Sequence, residues 1–247
     1  MDGPKTTRRD FLATGGALGV GALAGCLGGG GETPVTVLSA GSLSVLFNET
    51  VGPAFAEDTA YAYRGEFHGS NAVMRMVLDG QKHPDVIVSA DAQLLRDKLQ
   101  GGSDPVTDWD VEFASNEVGI TYAPDTPVGE RIAAGEPWYE VLRDADSEIA
   151  RSDPNLDPLG YRTVMLFELA EQYYDQPGLK AALSEQLTVD PSESHMLAAV
   201  ETGDRVAAVT YKNMAIDHGL EYRSLPDELN FSNPAFADHY ASVSYTT

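Results

Sequence analysis

Three short stretches of this chain place hydroxyls or backbone N–H groups where a strand-like run gives way to a helix-like one or a turn opens a helix. They are AGSL (40–43), HGSN (68–71) and DPLGYRT (157–163). The first turn of a helix leaves N–H groups without intrahelical partners and carries the positive end of the helix dipole, so such junctions attract anions. Pro158 suits a first helical turn, where its missing N–H costs nothing. Together, Ser42, Ser70 and the 157–163 turn could surround one small tetrahedral oxyanion with neutral donors. Taken singly, a serine at a helix start is usually just an N-cap, worth about 1 kcal/mol.

Other chemistries have less support. The sequence contains no HExxH, no GxSxG and no phosphate-binding GKS/T loop. The five histidines, His68, His83, His195, His218 and His239, show no i, i+4 pairing and read as surface or packed residues. The single cysteine, Cys26, excludes an internal disulfide and a cysteine-rich zinc site. A secreted serine hydrolase built on Ser42 or Ser70 stays open as an alternative, with only His68 near Ser70 in sequence.

The formal charge is −22, with 16 Lys and Arg against 38 Asp and Glu. Nucleic acid is therefore not an expected partner, since phosphate contacts need basic side chains. So dispersed an acidic surface suits strong salt. At molar salt the Debye length is about 3 Å, so this charge hardly reaches a buried anion site. A cation scavenger is the alternative use of the same charge.

The first 25 residues read as an export signal. Arg8 and Arg9 precede Phe11 and Leu12, and a Gly-rich apolar run follows that is too short to span a membrane. Leu23-Ala24-Gly25-Cys26 has the form of a lipobox, which makes Cys26 the expected lipidation site. Residues 26–33 read as a flexible tether. The expected location is the outer face of the cytoplasmic membrane, after twin-arginine export.

The elements that must hold the junctions follow from periodicity. PVTVL (34–38) and AYAYRGEF (60–67) read as strands, and PDVIVSAD (84–91) as a buried parallel strand. Residues 42–57 read as a helix kinked near Gly52-Pro53, and 70–81 as an amphipathic helix. WDVEFASNEVGITYA (109–123) holds two strand-like runs around Ser115-Asn116. A strand, a Pro/Asp turn and a long helix follow over 149–175, then a helix from Ser194 and a buried strand from Arg205. The alternation makes the fold class α/β. We expect lobe 1 over 34–111, lobe 2 over 112–216, and a return to lobe 1 over 217–247 that is shorter than a complete lobe needs.

Five stretches in order carry a resemblance. VLSAGSLSVLF, GSNAVMRMVLDGQKHPDVIVSADAQLL, DWDVEFASNEVGITY, SDPNLDPLGYRTVM and YKNMAIDHGLEYRSLPDELNFSNPA resemble the archaeal molybdate/tungstate-binding proteins of ABC importers. The resemblance spans nearly all of 34–243 and implies a type II periplasmic-binding-protein fold: two α/β lobes, a two-stranded hinge and an interlobe cleft. It implies an extracytoplasmic monomer that captures molybdate or tungstate, delivers it to a membrane permease and needs no cofactor. It assigns oxyanion contacts to Ser42, Ser70, Asp157, the Gly160 and Tyr161 amides, and Thr210 or Tyr211. Asn116 falls where the chain crosses between lobes.

The resemblance also implies two carboxylates that add to the metal of the oxyanion and give it six ligands. Asp157 fits one. The other is expected just before Tyr211, where this chain has Thr210, which favours a four-coordinate ion held by hydrogen bonds alone. Asp153 reads as a turn-maker. Arg162 reads either as a ligand contact or as an ion-pair partner in so acidic a chain. Sulfate, phosphate or another oxyanion on the same fold is the nearest alternative ligand.

Overall fold

The computed structural model describes residues 33–246. The export signal, Cys26 and the tether up to residue 32 lie outside the described residues.

Lobe 1 is built on a parallel sheet of β1 (Thr33–Ala40), β2 (Tyr61–His68) and β3 (Val86–Val88) in the order β2-β1-β3. Helices α1 (Gly52–Asp58), α2 (Ser70–Leu78) and α3 (Ala92–Leu95) connect and flank these strands. The expected kink appears as a π-helical stretch, Leu46–Val51, that runs into Gly52-Pro53. A wider turn accommodates a proline that has no N–H to give. Leu38, Val73, Met74 and Leu99 form the small core of this lobe.

Lobe 2 has five strands: β4 (Val118–Tyr122), β5 (Ile149–Ser152), β6 (Thr188–Asp190), β7 (Ala207–Tyr211) and β8 (Glu221–Arg223), ordered β6-β5-β7-β4-β8. β5 runs parallel to β6 and β7, whereas β4 is antiparallel to β7 and β8. Around them lie α4 (Pro127–Ala133), α5 (Trp138–Arg143), α6 (Pro158–Tyr173), α7 (Leu179–Gln186), α8 (Glu193–Thr202), α9 (Lys212–Asp217) and α10 (Ala237–Tyr240). β4 and β7 are buried along their whole length. Ile120, Trp138, Leu142, Leu166, Phe167 and Met196 belong to one large core with them.

Three expectations are corrected. WDVEF is not a strand: it pairs with no described strand, and Trp109 and Val111 stand 69% and 67% exposed. The 84–91 run pairs only over Val86–Val88 and is an edge strand, so Val86 is exposed. Residues 217–246 do not return to lobe 1. β8 takes the open edge of β4, Val118 N–H donates to the Asn230 carbonyl at 2.9 Å, and Leu225, Leu229 and Val243 join the large core. The open edge of β4 pairs the backbone of this segment, and the large core buries its apolar side chains.

Candidate functional site

Asp157 is the N-cap of α6. Its Oδ1 accepts from Gly160 N–H at 2.8 Å, and Pro158 follows in the first turn. The side chain is buried, and burial pushes its carboxyl up to about 7, against the pull of the Gly160 and Leu159 N–H groups and with a further push from Asp153. Asp153 itself makes the preceding turn, its Oδ1 accepting from Asn155 N–H at 2.8 Å. Glu193 opens α8, whose N-cap Ser192 accepts from His195 N–H. Burial raises the Glu193 carboxyl well above its usual range, and the neighbouring Asp157 charge raises it further. Two buried carboxylates thus lie together in lobe 2, and the Asp157 charge disfavours the ionised form of Glu193.

Lobe 1 presses its two Gly-Ser turns against this pair. A Cβ on Gly41 would lie 3.2 Å from Glu193 Oε2. A Cβ on Gly69 would lie 2.5 Å from the Leu156 carbonyl oxygen and 3.2 Å from Asp157 Cβ. Only glycine lets the backbones approach so closely. A cavity of about 330 Å3 opens here, lined by Gly41, Ser44, His68, Gly69, Asp157 and Glu193 among others.

Ser42 and Ser70 are buried in these turns. Ser70 Oγ accepts from Ala90 N–H at 3.0 Å, which leaves its own proton to donate. The Ser42 carbonyl accepts from Asn213 Nδ2 at 2.7 Å, and Asn116 Nδ2 donates to Asn213 Oδ1 at 2.6 Å. Asn116, in the segment between the lobes, therefore braces the first junction through Asn213. Tyr211 ends β7, and its hydroxyl accepts from Arg162 Nη1 at 2.9 Å. Burial raises the Tyr211 phenol above its ordinary range, and Glu193 and Asp157 add to that rise while Arg162 opposes it.

The structure separates other expected contacts from this group. The Gly160 N–H is already given to Asp157, and a Cβ there would meet the Asp153 carbonyl oxygen at 2.3 Å, so Gly160 serves the turn. Tyr161 stands one turn into α6, and its hydroxyl donates to Asp91 Oδ2 at 2.7 Å. Thr210 precedes Tyr211 on the same strand, so its side chain points to the opposite face. It is fully buried, and its Oγ1 has no partner among the described residues. No carboxylate stands at Thr210; the buried carboxylate beside Asp157 is Glu193 instead. Sequence reasoning missed it because an acidic residue just after an N-cap serine is the usual complement to a helix dipole. Arg162 makes an ion pair with Asp91 at 3.0 Å.

No serine–histidine pair forms among the described residues. His68 Nε2 meets Glu66 Oε1 at 2.9 Å, and Ser70 is engaged by Ala90. Nor, among the described residues, does any group of three potential metal ligands cluster, or any helix have the length and apolar character to cross a membrane.

Comparison with known proteins agrees with this architecture. Residues 35–241 match the family described as bacterial extracellular solute-binding protein. A solute-binding protein of Halobacterium salinarum is 50% identical over 98% of this chain and 77% of its own length. The molybdate/tungstate-binding protein of Thermococcus kodakarensis is 31% identical, covering 87% of this chain and 68% of its own. Among solved structures, the periplasmic molybdate-binding protein of Azotobacter vinelandii aligns with a TM-score of 0.57 at 18% identity, over 83% of this chain and 80% of that one. This likeness places the α/β lobes in the periplasmic-binding-protein fold. The chain belongs to the extracellular solute-binding protein family.

Proposed function

We propose that this chain is the solute-binding component of an ABC importer and carries molybdate or tungstate in the cleft between its lobes. The observation that carries the reading is the buried Asp157–Glu193 pair facing the Ser42 and Ser70 turns. Ser42, Ser70 and Tyr211 are the hydroxyl donors. In a cleft closed to water each hydrogen bond to a charged ligand contributes about 1.5–3 kcal/mol, so a few neutral donors offset much of the desolvation of a dianion. Arg162 is committed to Asp91 and Tyr211 and adds no direct charge to the ligand.

Carboxylates beside a dianion repel it unless they bind its metal or carry protons. With Glu193 in place of the carboxylate sought at Thr210, the six-ligand mode regains its second member: Asp157 and Glu193 face the metal of the oxyanion. The raised carboxyls favour a second mode, in which protonated Asp157 and Glu193 donate hydrogen bonds to a four-coordinate ion.

The importer role also rests on the export signal at 1–25 and on Cys26, which we assign as the lipid anchor on the outer membrane face. In this reading the chain acts as a monomer, hands its ligand to a permease and catalyses no reaction. Calorimetric titration of the purified chain in strong KCl with molybdate, tungstate, sulfate and phosphate tests the function. Binding of molybdate or tungstate tighter than millimolar, with sulfate and phosphate weaker, is expected; the reverse order refutes it. X-ray absorption of the tungstate complex then separates six ligands from four.

A further inference from the structure

Arg162 lies in the second turn of α6, half-buried, and its guanidinium bonds to both lobes. Nη1 donates to the Ala90 carbonyl and to the Tyr211 hydroxyl, both at 2.9 Å, and Nη2 donates to Asp91 Oδ2 at 3.0 Å. Tyr161 donates to the same Asp91 oxygen. The other Asp91 oxygen caps α3, accepting from Gln93 and Leu94 N–H at 2.8 and 3.1 Å. Ala90 and Asp91 follow β3 in lobe 1, while Arg162, Tyr161 and Tyr211 belong to lobe 2.

We propose that Arg162 is a positioning residue that clasps the closed cleft through Asp91 and presets two ligand donors at once. This deepens the oxyanion-binding reading and rests on it. The first donor is Tyr211. Its hydroxyl accepts from Arg162, a residue with no acceptor of its own, so the phenolic proton points away from the guanidinium and is left to donate to another group. The second is Ser70. The Ala90 carbonyl accepts from Arg162 while the Ala90 N–H donates to Ser70 Oγ, so one peptide unit carries the constraint from guanidinium to hydroxyl.

The pair is built to stay charged. Burial works against both ions. Arg162, the Tyr161 hydroxyl and the two capping N–H groups outweigh it for Asp91, whose carboxyl is net lowered. Tyr211, Asp91 and Tyr161 do the same for Arg162, which is net raised. Side-chain exposures of 24% and 15% leave the ion pair little screened by salt, unlike the surface charges of this acidic chain. Opening the lobes would expose both ions and cost the three cross-cleft hydrogen bonds, so the clasp acts on ligand release more than on capture.

The test is a double-mutant cycle on the full chain, titrated with tungstate and followed by stopped flow. Arg162→Lys and Asp91→Asn are each expected to weaken tungstate binding by about 30-fold through faster dissociation, with association within twofold of the parent. The double variant is expected to be no weaker than the worse single variant, since the two residues act as one unit. Losses that multiply, or that fall on association, or that stay within twofold, would overturn the clasp. Tyr161→Phe removes one hydroxyl and keeps the charges; it is expected to speed dissociation about fivefold and decides the matter should the charge variants fail to fold. Amide exchange at Ala90, Gln93 and Leu94 reads the clasp without ligand. If the parent binds neither tungstate nor molybdate, the functional reading falls, and exchange alone decides: faster exchange in Arg162→Lys supports the clasp, unchanged exchange removes it.

Discussion

The two lobes divide the work unequally. Lobe 2 has five strands, three of them buried end to end, and the large core around Phe167 and Trp138. Lobe 1 has three strands, an exposed edge at Val86 and a core of Leu38, Val73, Met74 and Leu99. The carboxylates and Tyr211 stand on the larger lobe, and the Gly-Ser turns on the smaller. Groups that resist ionisation need a dry, unyielding surround, which only the larger core supplies. Donor turns need only backbone geometry, and a small sheet fixes that. The small lobe is then the part expected to open and exchange most readily.

The largest test of this asymmetry is in the cores. Phe167→Ala is expected to cost about 3–5 kcal/mol in denaturant unfolding, by lost burial and an unfilled cavity. Leu99→Ala, in a core of four residues that collapses more readily, is expected at about 2 kcal/mol. A reversed order would break the comparison.

Next is the contact between the lobes. Gly69→Ala puts a methyl 2.5 Å from the Leu156 carbonyl oxygen, a backbone atom that cannot swing away. The lobes must part, and tungstate affinity is expected to fall about 100-fold while the unfolding midpoint hardly moves. A large stability loss instead would mean that the glycine matters to lobe 1 itself.

The third sharpens the chemistry of lobe 2. Asp157 is raised to about 7 in the folded chain, and Glu193 is raised with it. The folded state therefore holds more protons than the unfolded one between the ordinary carboxylate range, near 4, and pH 7. Stability must fall as pH rises through that window, by up to about 1.4 kcal/mol per pH unit for each proton released. Asp157→Asn with Glu193→Gln should remove that slope in ligand-free thermal melts. Asp91 behaves oppositely. Its lowered carboxyl stabilises the fold above its unfolded value, and that contribution is lost only as pH falls below about 4.

How much of this could be read in the sequence also differs between the lobes. The β1 and β2 strands and the Ser42 and Ser70 turns were legible because Gly-Ser after a period-two run is a local signal. So was the Asp157-Pro158 start of α6. Glu193 was not, since only tertiary packing buries it against Asp157. The failure at 109–113 and the misplaced 217–247 segment share a cause: alternation marks a strand but not the edge it pairs with. Arg162 carried two readings in sequence. The choice lay with Asp91, 71 residues away, whose oxygen it meets at 3.0 Å.

The smallest effect bears on the first Gly-Ser turn of lobe 1 and its brace from lobe 2. Ser42 offers a hydroxyl on a turn whose carbonyl is held by Asn213. Ser42→Ala removes one donor and leaves that backbone contact in place, so the turn should keep its position. A single lost hydrogen bond to a charged ligand then predicts tungstate binding weakened about tenfold, or about 1.4 kcal/mol, at unchanged stability. Asn213→Ala tests the other half of the distinction. It keeps the hydroxyl and frees the turn, so calorimetry should show a comparable loss of affinity carried by a larger entropic penalty, as the bound complex must order what Asn213 held. If both variants lost affinity with the same enthalpy and entropy, the turn would owe its position to lobe 1 alone, and the brace from lobe 2 would have no part in presenting Ser42.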